Sequence, residues 1–222
     1  MMKIDFDEEK HEYSVNGVRV PSVSEILSPL SAERYGELNK SILEQAANRG
    51  KAIHEACELI DYGVEPEENP EIDGYLSAYT MFLMEHEVEW EMIEGIVGFC
   101  RFPNETPLYA GTVDRFGTVD GVPTVVDIKT YSSLSSKAQL SASCQTALYR
   151  DAVDDMQEGG WQRDKKTRRK ILHLRKDGTY RLVDLDNWDN AHGFNSANMA
   201  WLLWTIWNNK DKALKTVRRK SK

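Results

Sequence analysis

The chain reads as an α/β (α+β) domain with a central mixed β-sheet flanked by helices. Three observations predict it. Helical patterns occupy 41–61 and a stretch after Pro70. Strand character then runs from Val88 through a hairpin centred on Asp120-Gly121. A further helix over 137–154 separates that hairpin from a last pair of strands, which makes it a crossover. At 222 residues and 41% apolar content the chain is long enough for one sizeable core. We expect a single domain over 1–222, with a hairpin and short helix in 1–35, a core in 45–150, and a helix with a basic tail in 195–222.

The elements follow in order. His11–Val15 and Val18–Val20 flank Asn16-Gly17, a strong two-residue turn signal, and Pro21 stops the second strand. Ser22 with Glu25 has capping-box spacing, so a short helix starts there. The segment SILEQAANRGKAIHEACELID is helical, with Ile42, Ala46, Ile53, Ala56, Leu59 and Ile60 as core positions. Gly50 within it marks either a break or a close backbone approach. Pro70 opens a helix running through Tyr75, Tyr79 and Phe82 to Glu85. A strand over Val88–Phe99 puts Trp90, Met92, Glu94 and Ile96 on one face by simple alternation. A loop at Pro103-Asn104-Glu105 leads to the Asp120-Gly121 hairpin. Leu140, Cys144, Ala147 and Leu148 stripe the crossover helix. A loop near 155–168 precedes a hairpin of Ile171–Leu174 and Tyr180–Val183 around Asp177-Gly178, and a final helix spans Asn195–Thr216.

Composition narrows the classes. No run approaches the ~18 apolar residues of a membrane span, and the first twenty residues are acidic and polar, unlike a secretory peptide. Cys57, Cys100 and Cys144 are scattered, which fits a reducing compartment and argues against a disulfide scaffold. A cytoplasmic protein is expected. The net charge of −8 hides a split: residues 1–162 carry 12 basic and 30 acidic side chains, residues 163–222 carry 16 and 6. The basic residues concentrate in RDKKTRRK (163–170) and from Lys210 to Lys222. Such clusters neutralise phosphates or form a solvated loop and a frayed helix end. Trp201, Trp204 and Trp207, three apart, serve either core packing or base stacking.

The chemistry sits in the central hairpin. Asp127 and Lys129 are two apart in a strand, so they leave the same face, and Asp114 enters from the partner strand. Two carboxylates and an ammonium at one spot suit a divalent metal and a polarised water beside a phosphate. Asp114 and Asp127 are the ligand candidates, the Ile128 carbonyl a further one, and Lys129 the group that orients the water. An acidic residue between Val126 and Ile128 weighs against a plain surface ion pair, because a buried charge needs compensation. His54, on a helix beside Glu55 and Glu58, is by itself better read as a structural or exposed histidine than as a ligand. Glu94 lies either at a sheet edge or beside a partner. Gln145 and Tyr149 are i, i+4 neighbours whose polar tips can reach the Lys129 region, and Thr130 can bond a phosphate oxygen.

Taken together, Arg49-Gly50 with His54, Gly111-Thr112-Val113-Asp114, Asp127-Ile128-Lys129-Thr130, and Gln145 with Tyr149 resemble the PD-(D/E)xK nuclease superfamily in its RecB-like exonuclease branch. The pattern looks like that of phage exonucleases and the mitochondrial genome-maintenance exonuclease. It covers residues 45–150, and VNGVRVPSVSEIL also resembles the start of phage-type members. The resemblance implies a restriction-endonuclease-like core and DNA phosphodiester hydrolysis with Mg²⁺ or Mn²⁺. It makes His54, Asp114, Asp127 and the Ile128 carbonyl metal ligands. Lys129, Asp114, Asp127, Glu94, Gln145 and Tyr149 become the catalytic set.

The first acidic element lacks the preceding proline. Three scattered cysteines cannot hold the iron–sulfur cluster of some relatives, so none is expected, and no P-loop pattern calls for ATP. The partners expected are DNA and a recombination or helicase protein, the state a monomer in preference to a homo-oligomer, and the setting a bacterial host cell if the chain is phage-derived. A structure-specific or non-specific endonuclease of the same fold, a non-catalytic nucleic-acid binder and a host-nuclease-interacting protein are the alternatives.

Overall fold

A computed structural model describes residues 3–28, 40–100, 109–156 and 167–186. Strands β1 (Asp5–Asp7), β2 (Glu12–Val15) and β3 (Val18–Val20) form a small antiparallel sheet. Helix α1 (Val23–Ile26) starts from a complete capping box: Ser22 Oγ accepts the Glu25 N–H at 3.0 Å and Glu25 Oε2 accepts the Ser22 N–H at 2.8 Å. Helices α2 (Lys40–Asp61) and α3 (Asp73–Glu85) follow.

The main sheet is built from β4 (Val88–Phe99), β5 (Tyr109–Val119), β6 (Val122–Lys129), β7 (Arg168–Leu174) and β8 (Tyr180–Asp184), with α4 (Ser136–Met156) between β6 and β7. Its spatial order is β4-β5-β6-β7-β8. The helix α4 lets β6 and β7 run parallel, while the other pairs are antiparallel, so the sheet is mixed as expected. Asp120 and Gly121 both take positive φ, 53° and 73°, the twist that a two-residue hairpin between β5 and β6 requires.

Both faces of the sheet are covered. On one, Val113, Phe116 and Val125 pack against Val23 and Ile26 of α1 and Cys144, Leu148, Tyr149 and Val153 of α4. On the other, Val119, Val126, Ile128, Leu172 and Leu174 meet Ile53, Ala56 and Cys57 of α2 and Tyr75, Tyr79 and Phe82 of α3. Each apolar layer removes water from one face of a strand pair, which fixes the register of β6 between them. No described helix is long and apolar enough to cross a membrane.

Several expectations change. Gly50 does not break α2, which is continuous; a Cβ there would stand an unstrained 3.8 Å from Thr130 Oγ1. Ile42 and Leu59 are exposed, because only the Ile53–Ala56–Cys57 stripe of α2 faces the sheet. The helix expected from Pro70 begins at Asp73. The shared face of Trp90, Met92, Glu94 and Ile96 does not exist. The β4–β5 register shifts between Trp90 and Met92, so Trp90 packs on the α2–α3 side and Met92 on the α4 side, the effect of a bulge that inserts one residue.

Within the basic stretch 163–170, the part on β7 is engaged by the protein itself. Arg169 is buried, donating to the Ser143 and Leu185 carbonyls, and Arg168 and Lys170 face Asp186 and Asp184. Residues 163–166, the Pro103–Glu105 loop, the 195–216 helix with its tryptophans and the basic tail lie outside the described residues.

Candidate active site

The polar residues gather where β5 and β6 part. Their pairing runs from Val119↔Val122 to Arg115↔Val126 and stops there. Beyond that point the Ile128 N–H donates instead to the side chain of Asp114, Oδ2 at 2.7 Å. A carboxylate thus replaces a backbone carbonyl in the ladder and the strands fork.

From α2, His54 enters the fork. Its Nε2 lies 3.2 Å from the Ile128 carbonyl oxygen and its Nδ1 lies 3.3 Å from Glu94 Oε1 and 3.9 Å from Asp114 Oδ2. One ligand atom each from His54, Glu94 and Asp114 fall within 4.8 Å of one another. Glu94 reaches this point through its backbone: it has φ 45°, and the β4–β5 register passes from Ile93↔Arg115 to Gly95↔Val113, skipping Glu94 and Asp114. A left-handed non-glycine residue costs about 1–3 kcal/mol and persists only where its surroundings hold it.

The D-x-K pair occupies the α4 side of β6. Lys129 Nζ donates to Asp127 Oδ1 at 2.7 Å and to Gln145 Oε1 at 3.3 Å, and Gln145 Nε2 donates to the Tyr149 hydroxyl at 3.3 Å. The i, i+4 spacing on α4 therefore produces a relay of contacts from Tyr149 through Gln145 to the ammonium. Gly111 makes room for it: a Cβ there would stand 2.7 Å from a Tyr149 ring carbon and 3.1 Å from Val23 Cγ2. Gly111→Ala is expected to displace the tyrosine, lower stability by about 1–3 kcal/mol through overpacking, and slow any chemistry that depends on Lys129. Thermal unfolding and single-turnover rates on the same preparation check both effects.

Burial sets the charges. Asp127 is fully buried, which with the like charge of Asp114 pushes its carboxyl up to about 6 against the opposing pull of Lys129. Burial works against the Lys129 ammonium, but Asp127, Tyr131 and Asp114 outweigh it and raise its pKa. Burial likewise opposes the His54 cation, and Asp114 and Glu94 reverse the outcome, so its pKa is raised.

Asp127 Oδ2 is buried with no hydrogen-bond partner among the described residues. An unpaired carboxylate oxygen costs folding free energy unless something else engages it. That orphan, and beside it the imidazole nitrogen and carboxylate oxygens of the His54–Glu94–Asp114 cluster, fit a divalent cation.

The site residues named from sequence fall into two groups. His54, Glu94 and Asp114 form the close cluster, with the Ile128 carbonyl against His54. Asp127 stands outside that cluster, beside Lys129, Gln145 and Tyr149. Three neighbours escaped the sequence reading. His173, level with Lys129 in the parallel register, places Nε2 2.7 Å from the Tyr131 carbonyl and so anchors the chain just past Thr130. Arg115 and Asp61 lie behind Glu94. A charged residue in a strand gives no sign of which distant residue it will meet, although Arg115 directly after Asp114 was a visible cation.

No curated protein matches the chain at a significant level. The PD-(D/E)XK nuclease superfamily matches residues 77–197, which takes in Glu94, Asp114, Asp127, Lys129, Gln145 and Tyr149 and leaves His54 upstream. Since that match spans more than half of the sequence, and the fork brings its acidic and basic groups together, the chain belongs to the PD-(D/E)XK nuclease superfamily.

Proposed function

We propose that this protein is a divalent-metal-dependent DNA exonuclease of RecB-like type, a single nuclease domain over 1–222 that hydrolyses phosphodiester bonds in phage-type recombination, repair or DNA degradation. The observation that carries the reading is the meeting of His54, Glu94, Asp114 and the Ile128 carbonyl at the β5–β6 fork, next to the buried Asp127–Lys129 pair. The exonuclease assignment draws its support from the motif likeness of residues 45–150 to end-processing enzymes. We further propose that it works in the cytoplasm as a monomer, with DNA as substrate and a recombination or helicase protein as partner.

His54, Glu94, Asp114, Asp127 and the Ile128 carbonyl would hold Mg²⁺ or Mn²⁺. Such an ion, when bound, withdraws electron density from a phosphate and acidifies a water. The chain's own groups do the rest. Lys129 donates to the attacking water and faces the negative charge that grows on the phosphate. Asp127 and Gln145 fix the direction of its ammonium, and Tyr149 fixes Gln145. A new bond forms between the water oxygen and phosphorus while the bond to the 3′ oxygen breaks, leaving a 5′-phosphate and a 3′-hydroxyl.

Protons and the cation compete for this site. The raised pKa of His54 and the value of about 6 at Asp127 mean that both groups hold protons at a higher pH than usual. Affinity for Mn²⁺ is therefore expected to fall as pH drops from 7.5 towards 5.5, and binding to release protons. Calorimetric titration in buffers of different ionisation enthalpy measures both; an affinity flat across that range contradicts the charge assignment.

The deciding experiment is digestion of end-labelled DNA with Mg²⁺, Mn²⁺ or chelator, on linear and closed circular substrates. Loss of label and shortening of the linear form only, abolished by chelator, is the expected result. Cutting of the circle would make the enzyme an endonuclease. Metal-independent binding without turnover would leave a binding module.

A further inference from the structure

Behind Glu94 lies a charged pair that the proposed chemistry leaves unused. Arg115 is fully buried. Its Nε donates to Asp61 Oδ2 at 2.7 Å, and its Nη1 lies 3.1 Å from Glu94 Oε1 and 2.6 Å from the Asp114 carbonyl oxygen. Asp61, the last residue of α2, is buried too and heavily bonded: the Tyr79 hydroxyl reaches its two oxygens at 2.7 and 2.8 Å, and Trp90 Nε1 donates at 3.0 Å. Elements α2, α3 and β4 thus converge on one carboxylate, and that carboxylate holds one guanidinium.

Burying two opposite charges rarely adds stability over an apolar pair of the same shape, so their presence here calls for another reason. Their placement supplies one. Arg115 Nη1 joins the Glu94 side chain to the Asp114 backbone across the step where β4–β5 pairing passes over Glu94 and Asp114 and Glu94 adopts φ 45°. A planar guanidinium with fixed donor directions is suited to this and an ammonium is not. Asp61 balances the cation, so the guanidinium can stand beside a cation site without adding net positive charge.

We infer that Arg115, clamped by Asp61, is a positioning residue that aims the Glu94 carboxylate into the cation site and acts on ion affinity chiefly through Glu94. This rests on the reading of Glu94 as part of that site. Lysine at position 115 keeps the charge and loses the fork, so a purely electrostatic or space-filling role survives Arg115→Lys and an aiming role does not.

The test is a double-mutant cycle on Mn²⁺ binding, followed by calorimetry on the full chain without DNA, with Arg115→Lys, Glu94→Gln and the two combined. Arg115→Lys is expected to weaken Mn²⁺ binding by about 10- to 100-fold, the range seen when the support of a ligand is removed. Glu94→Gln is expected to weaken it at least as much, and the double variant to bind like Glu94→Gln alone. Independent, multiplying effects would overturn the inference, as would wild-type affinity in a folded Arg115→Lys protein.

If Arg115→Lys does not fold, Tyr79→Phe carries the test. It removes one donor from Asp61 without changing any charge, and it should weaken binding in the parent and not in the Glu94→Gln background. An effect of equal size in both backgrounds would overturn the inference. Failure of the wild-type chain to bind Mn²⁺ at all would instead strike the cation site itself, and the inference with it.

Discussion

Asp114→Asn is expected to leave a folded protein that does not cut DNA. The asparagine oxygen can still accept the Ile128 N–H that Asp114 Oδ2 takes at 2.7 Å, so the β5–β6 fork keeps its shape and melting should stay near that of the parent. The charge is what disappears. Asp114 is the carboxylate that stands near both nitrogen-bearing and oxygen-bearing partners in the cluster with His54 and Glu94, and it is largely buried, where its field is little screened. Cleavage should fall by at least about 1,000-fold, the scale expected when an electrostatic element at a reacting centre is removed. Single-turnover digestion of end-labelled DNA with saturating Mn²⁺ measures it. Retention of the parental rate would remove Asp114 from the site and, with it, the proposed function.

Lys129→Met separates chemistry from ion binding. Lys129 is held by Asp127 at 2.7 Å and Gln145 at 3.3 Å, with its pKa raised against burial, so it stays charged at every working pH. A cation is a poor ligand for another cation. Its removal should therefore leave Mn²⁺ titrations close to those of the parent while kcat drops by roughly 10²- to 10³-fold, the loss typical when a fixed donor facing developing charge is removed. Methionine keeps the length and the apolar stem, so packing against α4 is preserved. The opposite pattern, intact turnover at saturating ion with weakened ion affinity, would place Lys129 in the support of the cation instead of beside the water.

The two aspartates and the lysine were legible because a strand fixes where neighbours point. Asp127 and Lys129 share a face whatever surrounds them, and Asp120-Gly121 sets the hairpin that brings Asp114 alongside. The mixed sheet was legible too, since a helix between β6 and β7 leaves them parallel. Legibility ended where the backbone departs from regularity. Alternation along β4 assumed no bulge, and the register shift at Trp90–Met92 defeats it. Glu94 was expected at the site from its place on an otherwise apolar strand face and from likeness, but nothing in Glu94-Gly95-Ile96 announces a left-handed residue. The Arg115–Asp61 pair spans 54 residues of sequence, and a contact of that range is fixed by tertiary packing alone. On α2, amphipathic spacing marked Ile42 and Leu59 as core, but both stand off the Ile53–Ala56–Cys57 stripe that faces the sheet.

The splayed end of β5 and β6 has a consequence for anyone who would rebuild this centre elsewhere. A continuous ladder keeps the residues of its two surfaces apart by the thickness of the backbone, so a histidine arriving from α2 and a lysine pointing at α4 could never serve the same phosphate. Here the gap brings the two groups to one edge of the sheet, His54 against the Ile128 carbonyl and Lys129 against Asp127 and Gln145. Grafting the side chains onto an intact sheet should yield an inert copy; the unzipped strand tip must travel with them.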